Sequence, residues 1–348
     1  EIIDMIENLI QGGFAYESEG HVLFHVPSDP SYGSLSKRSL EDMLAGARVE
    51  IASYKKDPKD FILWKPSSSD LPGWDSPWGR GRPGWHIECS AMIQKHLGGH
   101  IDIHGGGSDL TFPHHENEAA QSRCANRSKD YVNYWLHNGM ITLANEKMSK
   151  SLGNILGIRT LLQQHSGEVL RYALLSGHYR SSLSWSDDLI QQAKSSLDSL
   201  YQTLRDHSEK ALLGSVPIGS SLECDHEFEL ALCDDLNTPK ALAALHRISD
   251  ELRNAEDDES ALRKRNDLIQ AGSLLGLLQD DPEAYFKRSI GSETGDALSE
   301  SKIESLIEER NQARAERNFD LADQIRQSLS EKGIELEDQR TGTRWRRI

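Results

Sequence analysis

The sequence is short of cysteine, of positive charge and of long apolar runs, and each shortage removes a class of protein. Its four cysteines, Cys89, Cys124, Cys224 and Cys233, stand apart in 348 residues, and no CxxC pair occurs. Neither a disulfide framework nor a zinc finger is therefore built in, and reduced thiols in a cytoplasmic setting are expected. No apolar stretch is long enough to cross a bilayer and no secretory leader is visible, so no membrane partner is expected. Positive charge is scarce enough to leave a formal net charge of −16. That charge repels nucleic acid overall, although local basic patches can still bind it while the negative remainder discourages unspecific contacts. The chain also lacks an initiator methionine and a capping residue ahead of its first periodic run, EIIDMIENLIQ, where Ile2, Met5, Ile6, Leu9 and Ile10 fall at helical spacing. A helix that opens without Ser, Thr, Asp or Asn looks cut from something longer, so a truncation ahead of Glu1 is expected.

Between Gly84 and Glu118 the residues that carry chemistry crowd together: Cys89, the histidines 86, 96, 100, 104, 114 and 115, and several carboxylates. Cys89, His114 and Glu118 are the candidate metal ligands. His114 and Glu118 are four residues apart, so a helix opened by Pro113 would present both on one face. Thiolate, imidazole and carboxylate are all zinc ligands, and three of them leave a coordination position for substrate. Taken singly, Cys89 reads as a small buried hydrophobe and His114 as a helix-start histidine. The segment between them favours the metal: HGGGSDL follows the β-branched run 100–103 and precedes a helix, the layout of a nucleotide site. Downstream, KMSKS places Lys147 and Lys150 in a polar loop, where their charges could reach phosphate.

GWHIECS, HGGGSDLTFPHHENE and KMSKSLGN, in this order and spacing, resemble the cysteinyl-tRNA synthetases of class I. The resemblance implies an α/β Rossmann-type catalytic domain, here a second half with an insertion, followed by an α-helical bundle and a small C-terminal anticodon-binding domain. It implies cysteine–tRNA ligase activity on ATP, L-cysteine and tRNA(Cys) through cysteinyl-adenylate, with one Zn²⁺ selecting the thiol and Mg²⁺ accompanying ATP. Gly107, Asp109 and His114 fit the class I pattern GxDxxxxH, so Gly107, Asp109 and Lys150 are expected at ATP. Lys147 and Lys150 are the expected catalytic charges, Trp85 and His104 the pocket walls. Cys89, His114 and Glu118 match three of the family's four zinc ligands. The fourth, an early cysteine, has no counterpart, and neither has the HIGH signature. The isolated chain, expected to be a monomer, is accordingly expected to make no adenylate. Two other readings are a cysteine ligase paralogue of the mycothiol-pathway type and a truncated, non-catalytic zinc and tRNA-binding fragment.

In chain order, 1–156 is expected to hold the partial catalytic domain, with a strand pair about Glu19-Gly20, an irregular insertion up to Pro83, and a core strand in YVNYWLHNGMI. A stem-contact segment, 157–185, carries a helix capped by Ser166. A tRNA-binding bundle, 186–290, has helices from Ser186, from Asn237 or Thr238, and over 259–278. GSETGDALSES is a linker into the anticodon-binding domain, 291–348, which has a helix pair broken near Asn318. Its ending, GIELEDQRTGTRWRRI, offers Arg344, Trp345 and Arg346 to tRNA, the tryptophan as a stacking surface and the arginines as phosphate contacts. A tryptophan tucked onto the bundle beside a solvated basic tail is the plainer alternative.

Overall fold

The computed structural model describes residues 1–38, 52–128, 130–143, 146–147, 156–208, 225–288, 298–339 and 342–347. Contacts divide the chain into two units, Glu1–Met140 and Ile141–Ile348.

In the first unit the periodic run folds as the helix Ile2–Gln11, which buries Met5, Ile6 and Leu9. Gly13, at φ 79°, ends it. Strands Ala15–Ser18 and His21–Phe24 form the expected antiparallel pair. Glu19 and Gly20 both adopt positive φ, 51° and 74°, the conformation that matches a tight turn to the strand twist. The insertion is less irregular than expected. Phe61–Pro66 and Gly81–Pro83 add two antiparallel strands, giving a four-stranded sheet in chain order. The apolar run FILWKP carried that signal, obscured by the proline and serine around it. Leu63 and Trp64 join Met5, Ile6, Leu9, Val22, Phe24, Ile87 and Ala120 in one core. That core seats the two helices that bear the candidate ligands, Trp85–Leu97 and Glu116–Asn126.

A parallel pair joins Ile101–Gly107, between those helices in the chain, to Val132–Asn138, which follows the second of them. The second strand was expected in the core, yet its Tyr134 is 68% exposed and Ile103 on the first is 65% exposed. Alternation explains the difference: Trp135 and His137 share one face of the strand while Tyr134 occupies the other.

In the second unit Ile141–Leu143 pairs with Leu183–Trp185 in parallel and with Glu146–Lys147 in antiparallel fashion. Ser166, Ser186 and Asn237 cap the helices Gly167–Leu175, Asp187–Asp206 and Thr238–Arg253, each accepting a backbone N–H at 3.2 Å. Sequence reading missed the helix His226–Cys233 and ran the helix expected over 259–278 too far. It spans Asp258–Leu274, and the chain turns after it, with positive φ at Gly276 and Leu278. These helices share a core that includes Leu197, Leu200, Leu245, Ile248 and Leu268. Glu300–Ala315 and Phe319–Glu331 form the expected helix pair with Asn318 as cap. The hairpin Ile334–Gln339 and Gly342–Arg347 closes on them over a small core of Ile303, Ile307, Leu329, Leu336 and Trp345. Most of the expected linker, 291–297, lies outside the described residues.

Candidate metal and substrate site

Cys89 projects from the helix Trp85–Leu97, His114 from a single π turn, Thr111–His115, and Glu118 from the first turn of Glu116–Asn126. One donor atom from each lies within 4.8 Å of the others. The α-helix opens at Glu116 rather than at Pro113, because Phe112 is extended, at φ −139° and ψ 131°. The expected spacing survives this shift, and His114 Nε2 lies 2.6 Å from Glu118 Oε1.

The structure places His104 and Trp85 at the site as expected and adds His86, His115, Trp135 and His137, which sequence reading left out. His104, His115 and Glu118 form a second group with donors within 4.8 Å, so Glu118 is common to both. His104 Nε2 is 3.3 Å from Glu118 Oε2. Two imidazole contacts flank the carboxylate: His86 Nδ1 to His114 Nδ1 at 2.8 Å, and His115 Nδ1 to His137 Nε2 at 2.7 Å. Glu116 accepts from the Ser36 backbone N–H at 2.8 Å, and it is His86 that meets His114 Nδ1 and occupies the orienting place. Trp85, 59% exposed, stacks on His114 with centroids 4.2 Å apart, and Trp135 stacks on His104 at 4.7 Å. The HH doublet and the two-residue spacing of Trp135 and His137 were the available signals. Parallel pairing, which no local pattern reveals, brings His104 opposite Trp135.

Glycine makes the closeness possible. A Cβ on Gly106 would lie 2.7 Å from His115 Cε1, inside contact distance. Gly107 ends the strand and leads through the turn Ser108–Leu110, which contains Asp109, so strand, glycine turn and helix follow in the expected order.

Burial sets the electrostatics. It raises the Glu118 carboxyl to about 7, with the Cys89 thiol as a smaller opposing influence, and pushes the thiol up to about 11, with Glu118 adding to the rise. Burial first, and mutual repulsion second, lowers His115 to about 3 and His86 to about 4. His104 and His114 are lowered for the same leading reason. The cluster is thus rich in neutral nitrogen donors and poor in positive charge. Among the described residues, His104 Nδ1 and Glu118 Oε2 are buried without a hydrogen-bond partner. Soft and borderline donors, unmet lone pairs and missing positive charge together fit a divalent cation, which would reverse the penalty on thiolate and carboxylate.

The remaining candidates fall in the second unit. Lys147 has only its strand position described, and Lys150 lies outside the described residues. Trp345 is 3% exposed, so the expected stacking surface for a base faces the protein core instead. Strand alternation turns Arg344 and Arg346 to the opposite face. There Arg344 meets Asp206 at 3.4 Å and Glu283 at 3.5 Å, while Arg346 meets Glu335 at 2.6 Å.

Comparison with known proteins gives two family matches: "tRNA synthetases class I (C) catalytic domain" over residues 1–195 and "DALR domain" over 227–279. The chain is similar to a cysteine–tRNA ligase of Xanthomonas campestris, with 54% identity covering all of this chain and 73% of that relative. A cysteine–tRNA ligase of Saccharophagus degradans is 53% identical over all of this chain and 74% of its own length. Among solved structures, a Mycobacterium tuberculosis methionyl-tRNA synthetase in complex with methionyl-adenylate superposes with a TM-score of 0.51 and 15% identity. The superposition covers 79% of this chain and 70% of that one. This last likeness concerns the fold.

Proposed function

The chain belongs to the cysteine–tRNA ligases of class I, and from that premise we propose that Cys89, His114 and Glu118 hold the ion by which cysteine is selected. As a synthetase of this family it takes an amino acid, ATP and tRNA as substrates. The similarity of its relatives extends through the terminal hairpin, which favours the tRNA ligase over an amino-sugar ligase paralogue.

The reaction has two steps. The cysteine carboxylate attacks the α-phosphorus of Mg·ATP and releases diphosphate, then a ribose hydroxyl at the 3′ end of tRNA takes the cysteinyl group from the adenylate. Neither step needs a protein nucleophile, so orientation and charge are what the protein contributes. The glycine turn supports a nucleotide role: Gly107 allows close backbone approach, and Asp109 holds ribose hydroxyl. Lys147 and Lys150 supply charge to the phosphates.

Selection is the harder task, because serine differs from cysteine by one atom and an apolar pocket separates such isosteres only ~10²-fold. Zinc at this site supplies a preference for thiolate over neutral hydroxyl. The chain's residues do the rest. His86 occupies Nδ1 of His114 and leaves Nε2 facing Glu118. Trp85 walls the pocket from the exposed side, and His104 closes it from the strand. In the second unit Arg344 and Arg346 face tRNA. The protein acts as a cytoplasmic monomer.

The observation that carries the selection reading is the convergence of three donors from separate elements to within 4.8 Å. Its test is cysteine-dependent ATP–diphosphate exchange by the full-length protein, with zinc measured by elemental analysis. Stoichiometric zinc in all three single alanine variants of Cys89, His114 and Glu118 would remove these residues as the ligands.

A further inference from the structure

We propose that the loop 29–38 sets the position of the turn bearing His114 and Glu118, with Glu116 and Tyr32 as its positioning residues. The inference rests on the metal reading above and names what holds that site in register.

Besides a 3.4 Å bond from Arg123 to the Ser31 carbonyl, four contacts tie the loop to the helix Glu116–Asn126 and to the turn ahead of it. Arg123 donates to Asp29 Oδ2 at 3.0 Å, the Tyr32 hydroxyl donates to Asn117 Oδ1 at 2.5 Å, and the Ser36 amide donates to Glu116 Oε2 at 2.8 Å. The Arg38 guanidinium then lies over the Phe112 ring, 4.9 Å from its centroid. As the loop advances from 29 to 38, its partners step back from 123 to 112, so the two segments are tied along their whole length. Glu116 is fully buried and Asn117 is 2% exposed. A carboxylate inside a protein is costly unless bonded. Glu116 Oε1 has no hydrogen-bond partner among the described residues, so the Ser36 amide is the bond that fixes this side chain.

The helix alone does not fix its own rotation at this end. Extended backbone at Phe112 interrupts the helical ladder just before His114. At about 100° per residue, Glu116 lies on the side of the helix away from His114 and Glu118. Neither Glu116 nor Tyr32 is a donor of the cluster. The loop therefore grips one side of the helix while the ligands work on the other. At a side-chain radius of ~5 Å, a 10° rotation moves a ligand atom by about 1 Å, and a working site tolerates about 0.5 Å.

The experiment compares Tyr32→Phe, Glu116→Ala and Glu116→Gln in the full-length, zinc-loaded protein. It reads the KM for cysteine, the KM for ATP, cysteine-over-serine selection and zinc content. Tyr32→Phe and Glu116→Ala are expected to raise the cysteine KM and lower selection by about tenfold each, while the ATP KM stays within about twofold. Glu116→Gln, whose amide oxygen can still accept from Ser36, should recover most of the loss. Unchanged constants in folded Tyr32→Phe and Glu116→Ala, or parallel loss for both substrates, would overturn the proposal. Should Glu116→Ala fail to fold, Tyr32→Phe, which removes a single hydroxyl, decides alone. Wild-type protein without zinc would take the metal reading down with this one, whereas zinc-loaded variants with wild-type constants would remove this one only.

Discussion

The histidine cluster of the first unit and the buried arginines of the second handle buried polarity in opposite ways. Around Glu118 the histidines are held neutral by burial, the carboxyl is raised to about 7, and two buried polar atoms, His104 Nδ1 and Glu118 Oε2, have no hydrogen-bond partner among the described residues. Around Arg205, which is fully buried, Glu283 takes two hydrogen bonds at 2.7 and 2.8 Å and the Trp345 carbonyl accepts a third at 3.3 Å, while Nη1 makes no hydrogen bond among the described residues but faces the Glu337 carboxylate at 3.5 Å. Arg310 is likewise held by Asp338 at 2.9 and 2.7 Å, and the arginines beside Asp338 keep its carboxyl well below the ordinary range. The difference is one of charge: opposite charge meets the buried arginines of the scaffold, whereas neutral donors converge on Glu118 and mark a place for a ligand.

The sharpest way to break this contrast is to unmatch the scaffold. Arg205→Ala takes one partner from Glu283 and Glu337, which are partly exposed and keep Arg344 and Arg346, and cuts the bond to Trp345, so it should destabilise the second unit by about 1.5–3 kcal/mol in urea unfolding. A loss under about 1 kcal/mol would mean the pairing is not what joins the terminal hairpin to the bundle.

Next in size is the converse change at the site. Cys89→Ser replaces a thiolate by a poor ligand, so zinc retention should fall and selection of cysteine over serine should drop toward the ~10²-fold of an apolar pocket. The fold should barely respond, since Cys89 is only half-buried. Competitive exchange with serine, alongside a thermal melt, separates the two effects.

A titration sharpens the comparison further. Glu118 in the metal-free protein is raised from an ordinary 4.5 to about 7 by burial, so the folded state holds a proton that the unfolded state has released across that window. Stability of chelated protein should therefore fall as pH rises from about 4.5 to 7. Zinc uptake should run the other way, weakening as pH falls below 7, because the ligands must lose their protons. Asp338, with its carboxyl depressed, stabilises above the ordinary carboxylate range and should lose that contribution only in strong acid. Uptake that is flat between pH 5 and 8 would argue against Glu118 as a ligand.

The smallest effect belongs to the surface. Arg346 pairs with Glu335 on a partly exposed strand face, so Arg346→Ala should cost under ~1 kcal/mol in stability. If it meets tRNA, its loss should raise the KM for tRNA and leave ATP–diphosphate exchange intact.

Much of this was legible beforehand where the signal is local. Ser166, Ser186 and Asn237 cap as expected because a cap needs only a side-chain oxygen three residues before an amide. Glu19-Gly20 turns as expected, and His114 meets Glu118 even though the helix opens later than Pro113 suggested. Signals split across the chain were lost. FILWKP did not declare its sheet partners, and Trp345 looked like a binding surface because strand alternation gives parity but not which face is inside.

The sequence by itself determined which residues bear chemistry, the spacing that joins His114 to Glu118, and the helices of the bundle, since these depend on neighbours within a few residues. Cys89 was named with them from its motif, but only the tertiary structure decided that its thiol lies within reach of them, that His86, His115 and His137 surround them, and that the loop 29–38 contacts the helix from behind. Those contacts depend on which faces the core buries and on a parallel strand register. Both are set by packing between segments far apart in the chain rather than by any local preference.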